Sequence, residues 1–146
     1  MYKMISLIFI IMLISCGNVV FAGEHLLINK EGQVTATDLR AFYANNEIKA
    51  DNFFKGKPIV VKGKIREIRK GCLLDDCVVI SLAAGNGYDV TCMLARAAEN
   101  DAVNKNPGEI VALQGIGGGM TIGSPIVNNC VFVPMKKTTK KGKSTN

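Results

Sequence analysis

Residues 55–68 read KGKPIVVKGKIREI, and the rest of the chain is arranged around them. A Gly56-Lys57-Pro58 turn releases Ile59, Val60 and Val61, three β-branched residues that favour a strand. Lys62, Lys64 and Arg66 then alternate with Gly63 and Ile65, so one side of the strand is basic. Ile65 and Ile68 are three apart, which breaks the alternation and predicts a bulge near Arg66-Glu67. A strand bent in this way, running to about Arg69, suits the start of a small curved all-β domain.

Downstream, residues 78–83 alternate Val78, Ile80 and Leu82 against Val79, Ser81 and Ala83. Gly85-Asn86-Gly87 signals a hairpin turn. A third strand over 88–94 turns Val90, Cys92 and Leu94 inward, with Asp89, Thr91 and Met93 outward. Residues 95–104, ARAAENDAVN, read as a short surface helix stopped by Asn106-Pro107-Gly108. Residues 109–117 form a fourth strand, Gly117-Gly118-Gly119 a loop, and 125–134 a last strand with an irregularity near Asn128-Asn129. Upstream, Thr37 or Asp38 caps a helix whose Leu39, Phe42 and Tyr43 share one face. Asn45-Asn46 ends it, and residues 50–54 make a short turn in which Phe53 and Phe54 pack into the core.

The expected fold is therefore mainly β: a five-stranded OB-fold barrel, with an N-terminal helix and a short helix between strands 3 and 4. The barrel domain is expected over 37–134. Residues 23–36 form a leader or tether, and 135–146 a Lys-rich disordered tail.

Charge has to be located before it is read. The formal charge is +6. Lys136, Lys137, Lys140, Lys141 and Lys143 carry most of it, and between residues 23 and 135 twelve basic side chains meet twelve acidic ones. A neutral body argues against a general nucleic-acid binder. The start of the chain, Met1-Tyr2-Lys3 followed by MISLIFIIMLIS, has the form of a signal peptide. Two processing sites compete. Cleavage after Ala22 gives a signal peptide over 1–22 and a secreted protein. The lipobox-like Leu13-Ile14-Ser15-Cys16 gives a signal over 1–15 and lipidation at Cys16, hence a periplasmic or outer-membrane lipoprotein. Either way the domain is expected to be exported.

The spaced residues Leu39, Tyr43, Asn46, Ala50-Asp51, Phe54-Lys55-Gly56-Lys57, Val61-Lys62-Gly63 and Ile68 resemble the N-terminal half of the tRNA-anticodon-like OB-fold family. Val90-Thr91-Cys92-Met93, Gly108-Glu109-Ile110-Val111 with Gly115, and Asn129-Cys130 are similar to its later strands. The resemblance spans about 35–132. It implies a small exported or lipid-anchored OB-fold protein with no catalytic residues assigned; a fold by itself assigns no ligand.

Cys72, Cys77, Cys92 and Cys130 remain once Cys16 is set aside, and four cysteines allow three connectivities. Third and fifth strands are neighbours in an OB fold, so Cys92 is expected to bridge Cys130, leaving Cys72 with Cys77. Loop-closure entropy gives about 4 kcal/mol for the long bridge and about 2 for the short one. A zinc site would need paired C-x₂₋₄-C units, which only Cys72/Cys77 approaches.

No catalytic constellation emerges, and no metal or cofactor is expected. Asp75-Asp76 fits turn chemistry, and Ser81 and Ser124 have no histidine partner. The glycine run lacks the Lys-Ser/Thr of a phosphate loop. Lys62, Lys64, Arg66, Arg69 and Lys70 are the candidate ligand or anion contacts. Single-strand binders add aromatic platforms to such a row, and the middle strands offer only Val79, Ser81, Thr91 and Met93. The expected function is a non-catalytic binding module of the bacterial cell envelope, its site lying over the second and third strands and the glycine loop. Its partner would be an envelope protein or surface polymer, with the membrane reached through a lipid anchor. An exported single-strand nucleic-acid binder, using the basic row and the tail, is the alternative.

Overall fold

A computed structural model describes residues 33–71 and 77–135. The expected signal peptide, the lipidation site Cys16, Cys72, Asp75-Asp76 and the Lys-rich tail lie outside the described residues. In chain order the elements are β1 (Gln33–Thr35), α1 (Ala36–Asn45), α2 (Glu47–Phe54), β2 (Pro58–Lys70), β3 (Val78–Ala83) and β4 (Asp89–Leu94). A turn of 3-10 helix (Arg96–Ala98) then leads into α3 (Glu99–Ala102), β5 (Ile110–Thr121) and β6 (Ser124–Val133).

The strands close into a ring in the order β2-β3-β4-β6-β5 and back to β2. The pairing of β4 with β6 is parallel and the others in the ring are antiparallel, the OB-fold arrangement. One long strand serves two neighbours because it bends. Residues 58–64 of β2 pair with β5 and 64–70 pair with β3, the register slipping between Ile65 and Glu67. The bulge therefore sits where the broken alternation put it.

β1 falls within residues 23–36, the expected leader. It lies parallel to β2 at Val60–Lys62, and Val34 is buried. The short turn expected over 50–54 is the end of a full helix, α2. Asn46 explains both outcomes: it ends α1, its backbone N–H reaching the Phe42 carbonyl, and its Oδ1 accepts from Lys49 N at 2.9 Å to cap α2. Thr35, rather than Thr37 or Asp38, caps α1, its Oγ1 accepting from Asp38 N at 3.0 Å.

Inside the ring, Val61, Ile65, Ile80, Leu82, Val90, Cys92, Leu113 and Val127 pack with Leu39, Tyr43 and Phe54 of the two N-terminal helices. Burying such side chains contributes about 1.5–3 kcal/mol each.

The glycine run is not a loop. β5 continues through Gly117-Gly118-Gly119 to Thr121, paired with β6. Residues at the end of α2 lie against it: Gly56 N donates to the Gly117 carbonyl at 2.8 Å, and Gly117 N donates to the Lys57 carbonyl at 3.0 Å. A Cβ on Gly117 would collide with the Phe54 carbonyl group, and one on Gly118 would come within 2.7 Å of Asn128 Nδ2. These glycines permit close packing between layers.

Candidate binding surface

The basic row does not stay together. Lys62 and Lys64 are exposed on the outer side of β2, opposite Ala112 and Ile110 of β5. Arg66 projects from the bulge. Its Nη1 donates to the Gly87 carbonyl at 3.2 Å, and its Nε lies 3.0 Å from Asp89 Oδ1. That last contact is an ion pair off the line of the N–H, so it leaves the carboxylate oxygen without a hydrogen bond. Burial holds the Asp89 carboxyl above its ordinary range, against the pull of Arg66 and with a smaller push from Glu67. Arg69 faces Glu67 at 3.7 Å. Past the bulge the alternation resumes, so Lys70 falls on the side of Ile68, in a shallow groove of about 190 Å³ with Val78, Ala102 and Val103. Among the described residues, Lys62, Lys64 and Lys70 have no acidic partner, and Lys70 points away from the other two.

The outer side of the second and third barrel strands is also less available than expected. Val79 and Ser81 are buried there, between Arg69 and Met93 and between Glu67 and Thr91 of the flanking strands. Of Phe53 and Phe54, the latter is buried in a cluster of rings with Phe42 and Tyr43, and Phe53 packs on its edge. The core reading holds for this pair.

A different surface lies where the β3–β4 and β5–β6 turns meet. Asn86 and Gly87 both have positive φ, the Asn-Gly turn that suits a twisted hairpin. It presents Tyr88, 47% exposed, with the Arg40 guanidinium of α1 stacked 4.3 Å over its ring. Arg40 Nε is buried there with no hydrogen bond among the described residues. Beside Tyr88 runs the β5–β6 turn, Ile122-Gly123, with φ of 48° and 77°. A Cβ on Gly123 would touch the Tyr88 ring at 3.6 Å. Ile122 is 99% exposed. A β-branched residue held left-handed costs about 1–2 kcal/mol, and at full exposure it recovers nothing through packing. Sequence reading missed this site because its residues come from three elements. Its one legible sign was an Ile where a hairpin turn wants Asn.

The cysteines divide. Cys77 is disulfide-bonded. Cys92 and Cys130 are free thiols in this structure, fully buried and in contact. They do not form the expected bridge here. Asn128-Asn129 supplies an extra residue in β6, Asn129 having φ 54°, and this carries Cys130 opposite Leu94 while Cys92 faces Val127. Cys130 Sγ donates instead to the Val127 carbonyl at 3.3 Å. The hydrogen bond between the two sulfurs, then burial, raise the Cys92 thiol well above its ordinary pKa.

Among the described residues no three of His, Cys, Asp and Glu gather into a metal-holding group, and no helix is long and apolar enough to cross a membrane. Ser81 is buried in the sheet and Ser124 opens β6.

Comparison with known proteins agrees with the architecture. A crystal structure from Klebsiella pneumoniae subsp. pneumoniae MGH 78578, provisionally described as a nucleic acid-binding lipoprotein, superposes with a TM-score of 0.59 at 17% identity. The match covers 71% of this chain and 94% of that one. RecG bound to a three-way DNA junction matches over 60% of this chain and 12% of its own, with a TM-score of 0.46 and 16% identity. No curated protein matches by sequence. The tRNA_anti-like family model matches residues 1–131, and with the closed OB-type ring this chain belongs to the tRNA_anti-like family.

Proposed function

We propose that this chain is a non-catalytic binding module of the bacterial cell envelope, and that its ligand docks on the turn end of the barrel, at Ile122, Tyr88 and Arg40. The observation that carries the location is Ile122, strained and wholly exposed beside an exposed Tyr-Arg stack. Strain without packing reward is retained where a side chain has a task, and OB folds use the corresponding fourth-to-fifth-strand loop for ligands. Signal-like residues 1–22 and the lipobox-like segment ending at Cys16 support the envelope assignment. The name of the Klebsiella protein points the same way.

Single-strand nucleic acid is the second reading, favoured by the unpaired Lys62 and Lys64 on one outer face and by that same name. Against it stand the neutralised Arg66 and Arg69 and the lack of a ring on that face.

The test is photo-crosslinking in the intact envelope from a probe at position 122, with a probe at Ile48 on the exposed side of α2 as control. A discrete adduct at 122, absent at 48 and lost in Tyr88→Ala, supports the proposal. Equal adducts at both positions would sink it. Salt-dependent binding of a single-stranded oligonucleotide, abolished by Lys62→Gln with Lys64→Gln, would establish the second reading instead.

A further inference from the structure

Arg40 is a cation that the fold leaves unmatched. Ala36, Thr37, Tyr43 and Ala44 lie three and four positions away along α1, so no acid reaches it along the helix. Among the described residues no ion pair reaches it from another element. Its guanidinium lies over the Tyr88 ring and its Nε is buried, so a partner can meet only the terminal Nη edge. That edge suits a carboxylate, which a guanidinium holds by two parallel hydrogen bonds. The stack on Tyr88 fixes the guanidinium before any partner arrives, so less freedom is lost on pairing.

Shape and neighbouring charge narrow the partner further. Ile122 stands clear of the surface and Tyr88 is half exposed, so this end projects rather than forms a cleft. Small ligands are held in concave sites, whereas Tyr and Arg around an apolar side chain are typical anchors of a protein contact. A polyanion fits poorly. Asp89 follows Tyr88 directly and takes up Arg66, and Lys64 lies in the same row two strands away across Ala83, about 10 Å. A phosphate chain or acidic polymer would pass a carboxylate in engaging both Arg40 and Lys64, where it needs a continuous basic track. A second copy of the chain meeting through the same end would bring two unmatched cations together.

We infer that the partner at this end is a different protein, with an apolar pocket that receives Ile122 and, on the rim of that pocket, a carboxylate that pairs with Arg40. The inference rests on the placement of the ligand at Ile122, Tyr88 and Arg40 proposed above, and it adds the chemistry of what binds there.

Photo-crosslinking of the full chain in the intact envelope, from a probe at the exposed neighbour Thr121, leaves Ile122 and Arg40 in place. The expected adduct survives nuclease and yields peptides of one second protein, and mass spectrometry of the crosslinked peptides maps the partner's Asp or Glu at the contact. Arg40→Gln should lower the adduct yield about tenfold or more, with the thermal melt of the free protein preserved. Ile122→Ser should lower it to a similar extent. Arg40→Glu should abolish the adduct, and changing the partner's mapped acid to Lys should restore it. No discrete adduct from Thr121 removes the docking site and this inference with it. A discrete adduct that nuclease removes, that joins two copies of this chain, that yields no second protein, or that keeps its full yield in Arg40→Gln leaves the docking site standing and overturns this inference. Failure of the charge exchange to restore the adduct overturns it equally.

Discussion

Replacing Ile122 by Asn is expected to make the protein more stable. Ile122 and Gly123 form the two-residue β5–β6 turn with φ of 48° and 77°, and an L-residue with a branched Cβ pays about 1–2 kcal/mol in that region. Asn tolerates it far better, and Asn-Gly is the preferred pair for such a hairpin. Nothing offsets the change, because Ile122 makes no buried contact that Asn would lose. The expected gain is about 1 kcal/mol, which for a domain of this size corresponds to a rise of roughly 4–8 °C in Tm. Thermal and urea unfolding of both proteins measure it, and the urea m-value should be unchanged. Ile122→Gly should gain similarly, whereas Ile122→Val keeps the branch and should not. An unchanged or lower Tm for Asn would refute the claim that the turn is strained. With the crosslinking probe moved to the exposed neighbour Thr121, a gain in stability accompanied by loss of the adduct is the pattern expected of a residue kept for binding at a cost to folding.

Three further outcomes follow from the packing. Gly117→Ala should destabilise by about 1–3 kcal/mol in urea, since its Cβ would meet the Phe54 carbonyl; a neutral substitution would mean that α2 does not rest on β5. Tyr43 is buried and donates to Asp51 Oδ1 at 3.3 Å, and burial, with the nearby carboxylate, raises its phenol well above the ordinary value. The folded state then holds that proton more tightly than the unfolded one. Its contribution is complete below about pH 10 and is lost as the pH rises beyond. Tyr43→Phe should therefore be about 1 kcal/mol less stable at neutral pH, with the gap closing in alkali, as paired melts would show. Cys92 and Cys130 should resist alkylation in the folded protein and react once it is unfolded, which peptide mapping reads directly; a 92–130 linked peptide would refute the free-thiol state.

The strands of the ring were legible because each carries its own local pattern. Asp89–Leu94 alternates cleanly, Gly85-Asn86-Gly87 names the turn before it, and Ile65 to Ile68 announces the bulge. What escaped depends on partners distant in sequence. β1 is three residues long and exists only because β2 leaves an edge beside Val60–Lys62. Asn46 looked like a stop and is also a start. Gly117-Gly118-Gly119 has the local composition of a loop and becomes strand because α2 and β6 press on it from either side. The basic row is continuous in sequence but not in space, since the bulge, Glu67 and Asp89 divide it.

β6 has a consequence for how the protein comes into being. It is the last strand among the described residues, and it pairs with both β4 and β5. A chain delivered N-terminus first therefore exposes two unpaired strand edges until Ser124–Val133 has emerged. Ring closure then waits on the final tenth of the fold, so premature truncation or stalled delivery leaves an adhesive intermediate rather than a smaller barrel.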